Sequence, residues 1–238
     1  MSTKISFVSG KGGVGKSSIC FSFAKALNSR EKKVLIIDLD IGLHTQDILL
    51  NVADKVLYNW NDVLCQRCDV NAAIIKGKID LIAAPEEMEC SENNLFSEMI
   101  EKLDDDYDYI LFDCPAGIFG GFELGVKNSD LILAITTQDK LCSMKVNTVS
   151  NKIRKLCDDI NIRLIINKYV KPSFFEKDFL NLDEIINLTE IQLAGVIPSD
   201  IEFAENILKN KEIEFCEAYQ AVQRIIRRLE GKTVPLSI

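Results

Sequence analysis

The chain has 238 residues, 47% of them hydrophobic, and a formal net charge of −8 at pH 7. That length can bury a substantial core in one large α/β domain or two small ones. The negative charge disfavours tight nonspecific DNA binding, which needs lysines and arginines against phosphates, and no apolar run approaches the roughly 20 residues of a membrane-spanning helix.

The first predicted strand is Ile5 to Val8, and a helix starting near Lys16 carries apolar residues at helical spacing from Ile19 to Leu27. Between them lies Ser9-Gly10-Lys11-Gly12-Gly13-Val14-Gly15-Lys16-Ser17-Ser18. This is a complete phosphate-loop pattern in the strand–loop–helix setting that gives it meaning. Glycines let several backbone N–H groups converge on one phosphate, and the helix start adds its positive end. Lys16 has the reach for the β- and γ-phosphates of ATP, or the β-phosphate of ADP, and the Ser17 hydroxyl suits Mg²⁺. Lys11 is a second lysine that an ordinary phosphate loop does not require.

Lys33 to Asp38 is a continuous apolar run ending in an acid, the pattern of a strand buried on both faces. Asp38 and Asp40 then stand at the carboxyl edge, where open α/β sheets bind ligands, and two such carboxylates suit metal and water handling. The only histidine, His44, follows and reads as a bystander. Residues 55–76 read as short helices holding the only tryptophan, Trp60, and the pair Cys65 and Cys68. That Cys-x-x-Cys supplies two ligands where a closed metal site wants four. Eight cysteines (Cys20, Cys65, Cys68, Cys90, Cys114, Cys142, Cys157 and Cys216) behind no evident signal peptide imply a reducing cytoplasm without disulfides.

A strand over Ile79–Ala83 precedes a helix over about 92–104, with Asp104-Asp105-Asp106 as its solvated end. Tyr109-Ile110-Leu111-Phe112-Asp113 is a Walker B pattern, and Asp113 should hold Mg²⁺ directly or through water. Gly117, Gly120 and Gly121 give the following segment room to move. The remaining elements are strands over Leu131–Thr137, Ile162–Ile166 and Leu193–Pro198. Helices are expected over about 140–156, 178–190 and 215–229, with a loop over Lys171–Phe175. Arg224, Arg227 and Arg228 read as a solvated helix face. The expectation is one domain over residues 1–238, a doubly wound, mostly parallel sheet with helices on both faces.

From residue 4 to about 229 the chain resembles the MinD/ParA ATPases. The resemblance rests on Lys-Gly-Gly-Val-Gly-Lys-Ser at the loop, the two aspartates after the second strand, and Asp113-Cys114-Pro115-Ala116-Gly117. It implies a P-loop ATPase that forms an ATP-sandwiched homodimer, Lys11 reaching the partner's phosphates, Asp40 orienting the attacking water and Asp38 supporting the Mg²⁺ shell. It further implies slow, partner-stimulated hydrolysis and a role in placing the division site. Asn167 is similar to a base-reading asparagine, and Pro198 and Asp200 resemble a turn that packs on adenine. Nitrogenase-iron-protein relatives share the loop but need a cluster cysteine just before a Gly-Gly-Phe, where this chain has Phe119. The usual Val-Arg-Asp of the partner-binding helix is Met144-Lys145-Val146 here, and residues 230–238 are too short for the family's basic membrane-binding helix. Membrane contact is therefore expected only through a partner. The alternatives are a ParA-like DNA-partitioning ATPase, a flagellar-number regulator, and a metal-cluster assembly ATPase using Cys65 and Cys68.

Overall fold

The computed structural model describes residues 1–90, 93–171 and 179–236. Its centre is one eight-stranded sheet in the order β3-β4-β2-β5-β1-β6-β7-β8. The strands are β1 (Thr3–Ser9), β2 (Val34–Asp38), β3 (Ile74–Ile75), β4 (Asp80–Ile82), β5 (Tyr109–Ala116), β6 (Leu131–Thr136), β7 (Asn161–Tyr169) and β8 (Leu193–Pro198). Every pairing is parallel except β3 with β4. The central strands are near-continuous runs of Ile, Leu, Val and Phe because helices cover both faces.

Side-chain alternation sends Leu35, Ile37 and Phe112 to one face and Ile36 and Leu111 to the other. The first face is packed by α3 (Trp60–Leu64), α4 (Val70–Ala73), α5 (Asn93–Leu103), α6 (Phe122–Lys127), α7 (Lys140–Leu156) and α8 (Leu182–Thr189). The second is packed by α1 (Lys16–Asn28), α9 (Ile201–Leu208) and α10 (Glu217–Leu229). The short α2 (Thr45–Leu49) follows β2 and packs on α1. Phe23, Phe96, Phe112, Trp60 and Tyr219 are among the fully buried large side chains, each contributing about 1.5–3 kcal/mol by leaving water.

This architecture is the doubly wound sheet that the sequence predicts, with three departures. Residues 74–75, expected within a helical stretch, pair antiparallel with β4. The helix α9, not expected from sequence, is started by Asp200, whose carboxylate accepts the N–H of Phe203 at 2.9 Å. Asp104 is no idle helix end. It accepts the N–H and the hydroxyl of Ser2 and the ammonium of Lys4 at 2.6–2.8 Å, and the Lys4 and Ser2 bonds hold its carboxyl well below the usual range. The expected loop beyond Lys171 lies outside the described residues.

The expectation of no disulfide is corrected. Cys65 is bonded to Cys90, 25 residues away. The cause is local: the Asn61 carboxamide accepts the Glu89 N–H at 2.9 Å and donates to the Cys90 carbonyl at 2.7 Å. Cys65 sits one helical turn after Asn61, its N–H on the Asn61 carbonyl. Arg67 closes the same corner by pairing with both Asp62 and Glu89. Cys65 is thus not a free metal ligand beside Cys68, which removes the metal-cluster reading of that pair. Among the described residues no group of three or more His, Cys, Asp or Glu is placed to hold a metal ion.

Candidate functional site

The site forms where β1, β5 and β2 end. Asp38 and Asp113 are register partners on adjacent parallel strands, so their carboxylates emerge side by side. Both are buried, as is Lys16. Lys16 Nζ lies 2.5 Å from Asp113 Oδ1, 3.8 Å from Asp40 Oδ2 and 3.3 Å from Ser17 Oγ. Burial works against the Lys16 charge, but Asp113, with help from Asp40, outweighs it and holds the ammonium above its usual pKa. Asp38 goes the other way. Burial and the neighbouring Asp113 carboxylate push it up to about 7, although the N–H groups of Gln46 and Asp40 donate to it at 3.0 Å. Burial also raises Asp40, against the pull of Lys16.

The loop above these groups is built as a cradle. Gly13 and Gly15 have φ of +80° and +92°, which other residues adopt only with strain. A Cβ on Gly15 would stand 2.4 Å from Asn167 Nδ2, so a side chain is excluded there twice over. Nothing lies within 4 Å of where a Cβ would project from Gly12 or Gly13, and that side of the loop is open. The α1 helix starts with no side-chain cap and no acid in its first turn, leaving its N–H groups and positive end to an anion. Val14 is buried under the loop, while Ser17 and Ser18 are half-buried at the helix start.

Asn167 donates to the Val14 carbonyl at 2.8 Å, and Lys168 Nζ donates to the Gly13 carbonyl at 2.8 Å. The expected base reader is thus placed against the loop backbone, with Lys168 as a second brace. Pro198 lines a cavity of about 540 Å³ with Tyr169, Val170, Lys171, Ser199, Glu217, Gln220 and Arg224. The Asp200 carboxylate is taken by its helix-capping bond and by the Ala218 N–H at 3.2 Å. Lys11 is exposed and has no ion pair among the described residues. His44 stands at the start of α2 with Nδ1 3.4 Å from Asp47 Oδ2. Cys114 is buried against Ser6, and its thiol is pushed up to about 12 by that burial, so it faces inward, away from any cluster shared with a partner.

One central residue was not legible in the sequence. Gln46 Nε2 donates to Asp113 Oδ2 at 2.7 Å and to the Ser17 carbonyl at 3.0 Å. Nothing in a lone glutamine of a polar segment marks it in advance.

The septum site-determining protein MinD of Synechocystis is 31% identical over 247 residues, covering 99% of this chain and 92% of that protein. The chain belongs to the MinD family of ATPases. MinD of Helicobacter pylori is likewise 31% identical, over 98% of this chain and 92% of its own length, and a family model described as an AAA domain matches residues 2–166. Among solved structures, MinD in the Aquifex aeolicus MinC:MinD cell division complex superposes with a TM-score of 0.90 at 28% identity, covering 100% of this chain and 99% of that one. The Pyrococcus horikoshii MinD structure, a complex with Mg-ADP, shares the fold with a TM-score of 0.83 at 24% identity, covering 97% and 98%.

The MinD-type site of this chain fits a magnesium nucleotide on its own chemistry. Side-by-side buried carboxylates with one raised pKa, a serine hydroxyl, and the buried Gln46 Oε1, which has no hydrogen-bond partner, form the hard-oxygen surroundings that Mg²⁺ takes. The uncapped α1 start and open loop supply the matching place for phosphates.

Proposed function

We propose that this chain hydrolyses ATP as a dimerising switch whose output is placement of the division site. The observation that carries the reading is the Lys16–Asp113 pair, a phosphate-loop lysine parked on a Walker B aspartate directly beneath an open, uncapped loop. Lys16 exchanges Asp113 for phosphate when nucleotide enters, and Asp113 is thereby released toward the cation with Ser17 and Asp38. Bound magnesium neutralises phosphate charge. Asp40, 3.8 Å from the Lys16 ammonium, holds the attacking water.

Gly10, Lys11, Gly12, Gly13, Val14, Gly15, Ser17 and Ser18 hold the phosphates by backbone and hydroxyl. Asn167 and the turn at Pro198 and Asp200 flank the base, next to the cavity that Pro198 lines. Lys11, exposed and unpaired, crosses to the phosphates of a second copy. Hydrolysis is slow until a protein partner accelerates it, and Leu141 and Met144, half-exposed on α7 beside the loop, suit that contact. Among the described residues no helix is long and apolar enough to cross a membrane.

Phosphate release from ATP tests the chemistry. Wild-type protein is expected to turn over slowly, Asp40→Ala to bind ATP without releasing phosphate, and Lys16→Ala to do neither. Turnover by Lys16→Ala at the wild-type rate would overturn the site.

A further inference from the structure

The carboxamide of Gln46 is 0% exposed and its orientation is fixed by its neighbours. Nε2 sits between two acceptors, Asp113 Oδ2 and the Ser17 carbonyl. The opposite flip would set an oxygen against two oxygens. Its own N–H donates to Asp38 Oδ2 at 3.0 Å. One residue therefore touches both buried carboxylates and the first turn of the helix behind the phosphate loop. Its Oε1 is the one buried side-chain nitrogen or oxygen without a partner among the described residues.

A buried acceptor left unpaired is destabilising. A methionine or leucine would fill the space without that cost, so packing alone does not account for a glutamine. We propose that Gln46 is a positioning residue of the cation site: Nε2 holds Asp113 in place while Oε1 accepts a hydrogen bond from a water carried by the divalent cation. Outer partners of this kind orient the groups that touch a metal, and losing one weakens metal binding by about 10- to 100-fold. The proposal rests on magnesium–nucleotide binding at the loop.

The test is equilibrium binding of Mn²⁺ in excess ADP, read by the loss of the free-ion electron paramagnetic resonance signal. ADP affinity is measured in parallel in chelator. Gln46→Met keeps the length and removes both donor and acceptor. It is expected to bind Mn²⁺ about 10- to 100-fold more weakly with metal-free ADP affinity unchanged. Gln46→Glu keeps an acceptor but sets an oxygen against Asp113 Oδ2 and the Ser17 carbonyl in place of the Nε2 donor, and it too is expected to weaken Mn²⁺ binding. Mn²⁺ binding by Gln46→Met at the wild-type level overturns the role of Gln46. If Gln46→Met fails to fold, Gln46→Glu decides: weaker Mn²⁺ binding supports the role, and binding at or above the wild-type level overturns it. Wild-type protein that takes up no Mn²⁺ with ADP overturns the nucleotide reading itself, and this proposal with it.

Discussion

Two corners of the molecule bury polar groups in opposite ways. At the ends of β1, β5 and β2, Asp40 and Asp113 hold the ammonium of Lys16, Asp38 beside them is pushed up to about 7, and Gln46 Oε1 has no partner. At the outer corner, Asn61 satisfies the Glu89 and Cys90 backbone groups that approach it, Arg67 answers both Asp62 and Glu89, and Cys65 and Cys90 are joined. The first corner holds clustered carboxylates and a spare acceptor, an arrangement that a bound cation and its water would complete. The second is closed on itself and gains nothing from a ligand. Unsatisfied polarity in a well-packed protein thus points to the working site, whereas satisfied polarity points to structure.

The sharpest way to break this contrast is Lys16→Ala. It should abolish nucleotide binding in calorimetry. It should also cost the metal-free protein about 3 kcal/mol in denaturant unfolding, because Asp113 is left buried without its cation.

Next in size is a pH effect. The Asp38 carboxyl rises from an ordinary 3.8 to about 7 on folding, so between those values the folded state binds more proton than the unfolded one. Metal-free stability should therefore fall as pH rises from about 4 to about 7, by at most about 1.4 kcal/mol per pH unit. Asp38→Asn should flatten that fall in melts across the range. A metal-free protein that gains stability over the same window would show that the Asp38 proton is not held.

The closed corner should respond to different changes. Cys65→Ser opens a 25-residue loop and should cost about 3 kcal/mol in unfolding while leaving ADP affinity unchanged. A matching loss of ADP affinity would join the two corners. Smallest is Asp200→Ala, which removes a helix cap and should cost about 1 kcal/mol. Because the Asp200 carboxylate is taken up by the Phe203 and Ala218 N–H groups, ADP affinity should hold.

The two corners also differ in how far the sequence discloses them. Gly10 to Ser18, Asp38, Asp40 and Asp113 are legible because each lies in or at the end of a short continuous pattern whose chemistry is local. The doubly wound class follows from the same buried runs, whereas the strand order and the antiparallel β3 edge come from the structure. Gln46 and Lys168 were not legible, since each acts on a residue far away in the chain, Gln46 on Asp113 and Lys168 on Gly13. The Cys65–Cys90 bond was missed for the same reason: Cys-x-x-Cys spacing draws attention to Cys68, while the carboxamide of Asn61 brings in Cys90. Asn167 shows a subtler case, in which a residue type singled out for its hydrogen-bonding edge has that edge turned on the loop backbone.

Lys11 is exposed beside an open phosphate cradle, makes no ion pair with the acids that hold Lys16, and acts within the chain through its charge on Asp139; the proposed function gives it to a second copy. The decisive measurement is the solution mass of Asp40→Ala protein with ADP and with ATP, with and without the added change Lys11→Ala. A monomer with ADP, a dimer with ATP, and no dimer once Lys11 is removed is the predicted result. A monomer in both nucleotides, or an ATP dimer indifferent to Lys11→Ala, would contradict it.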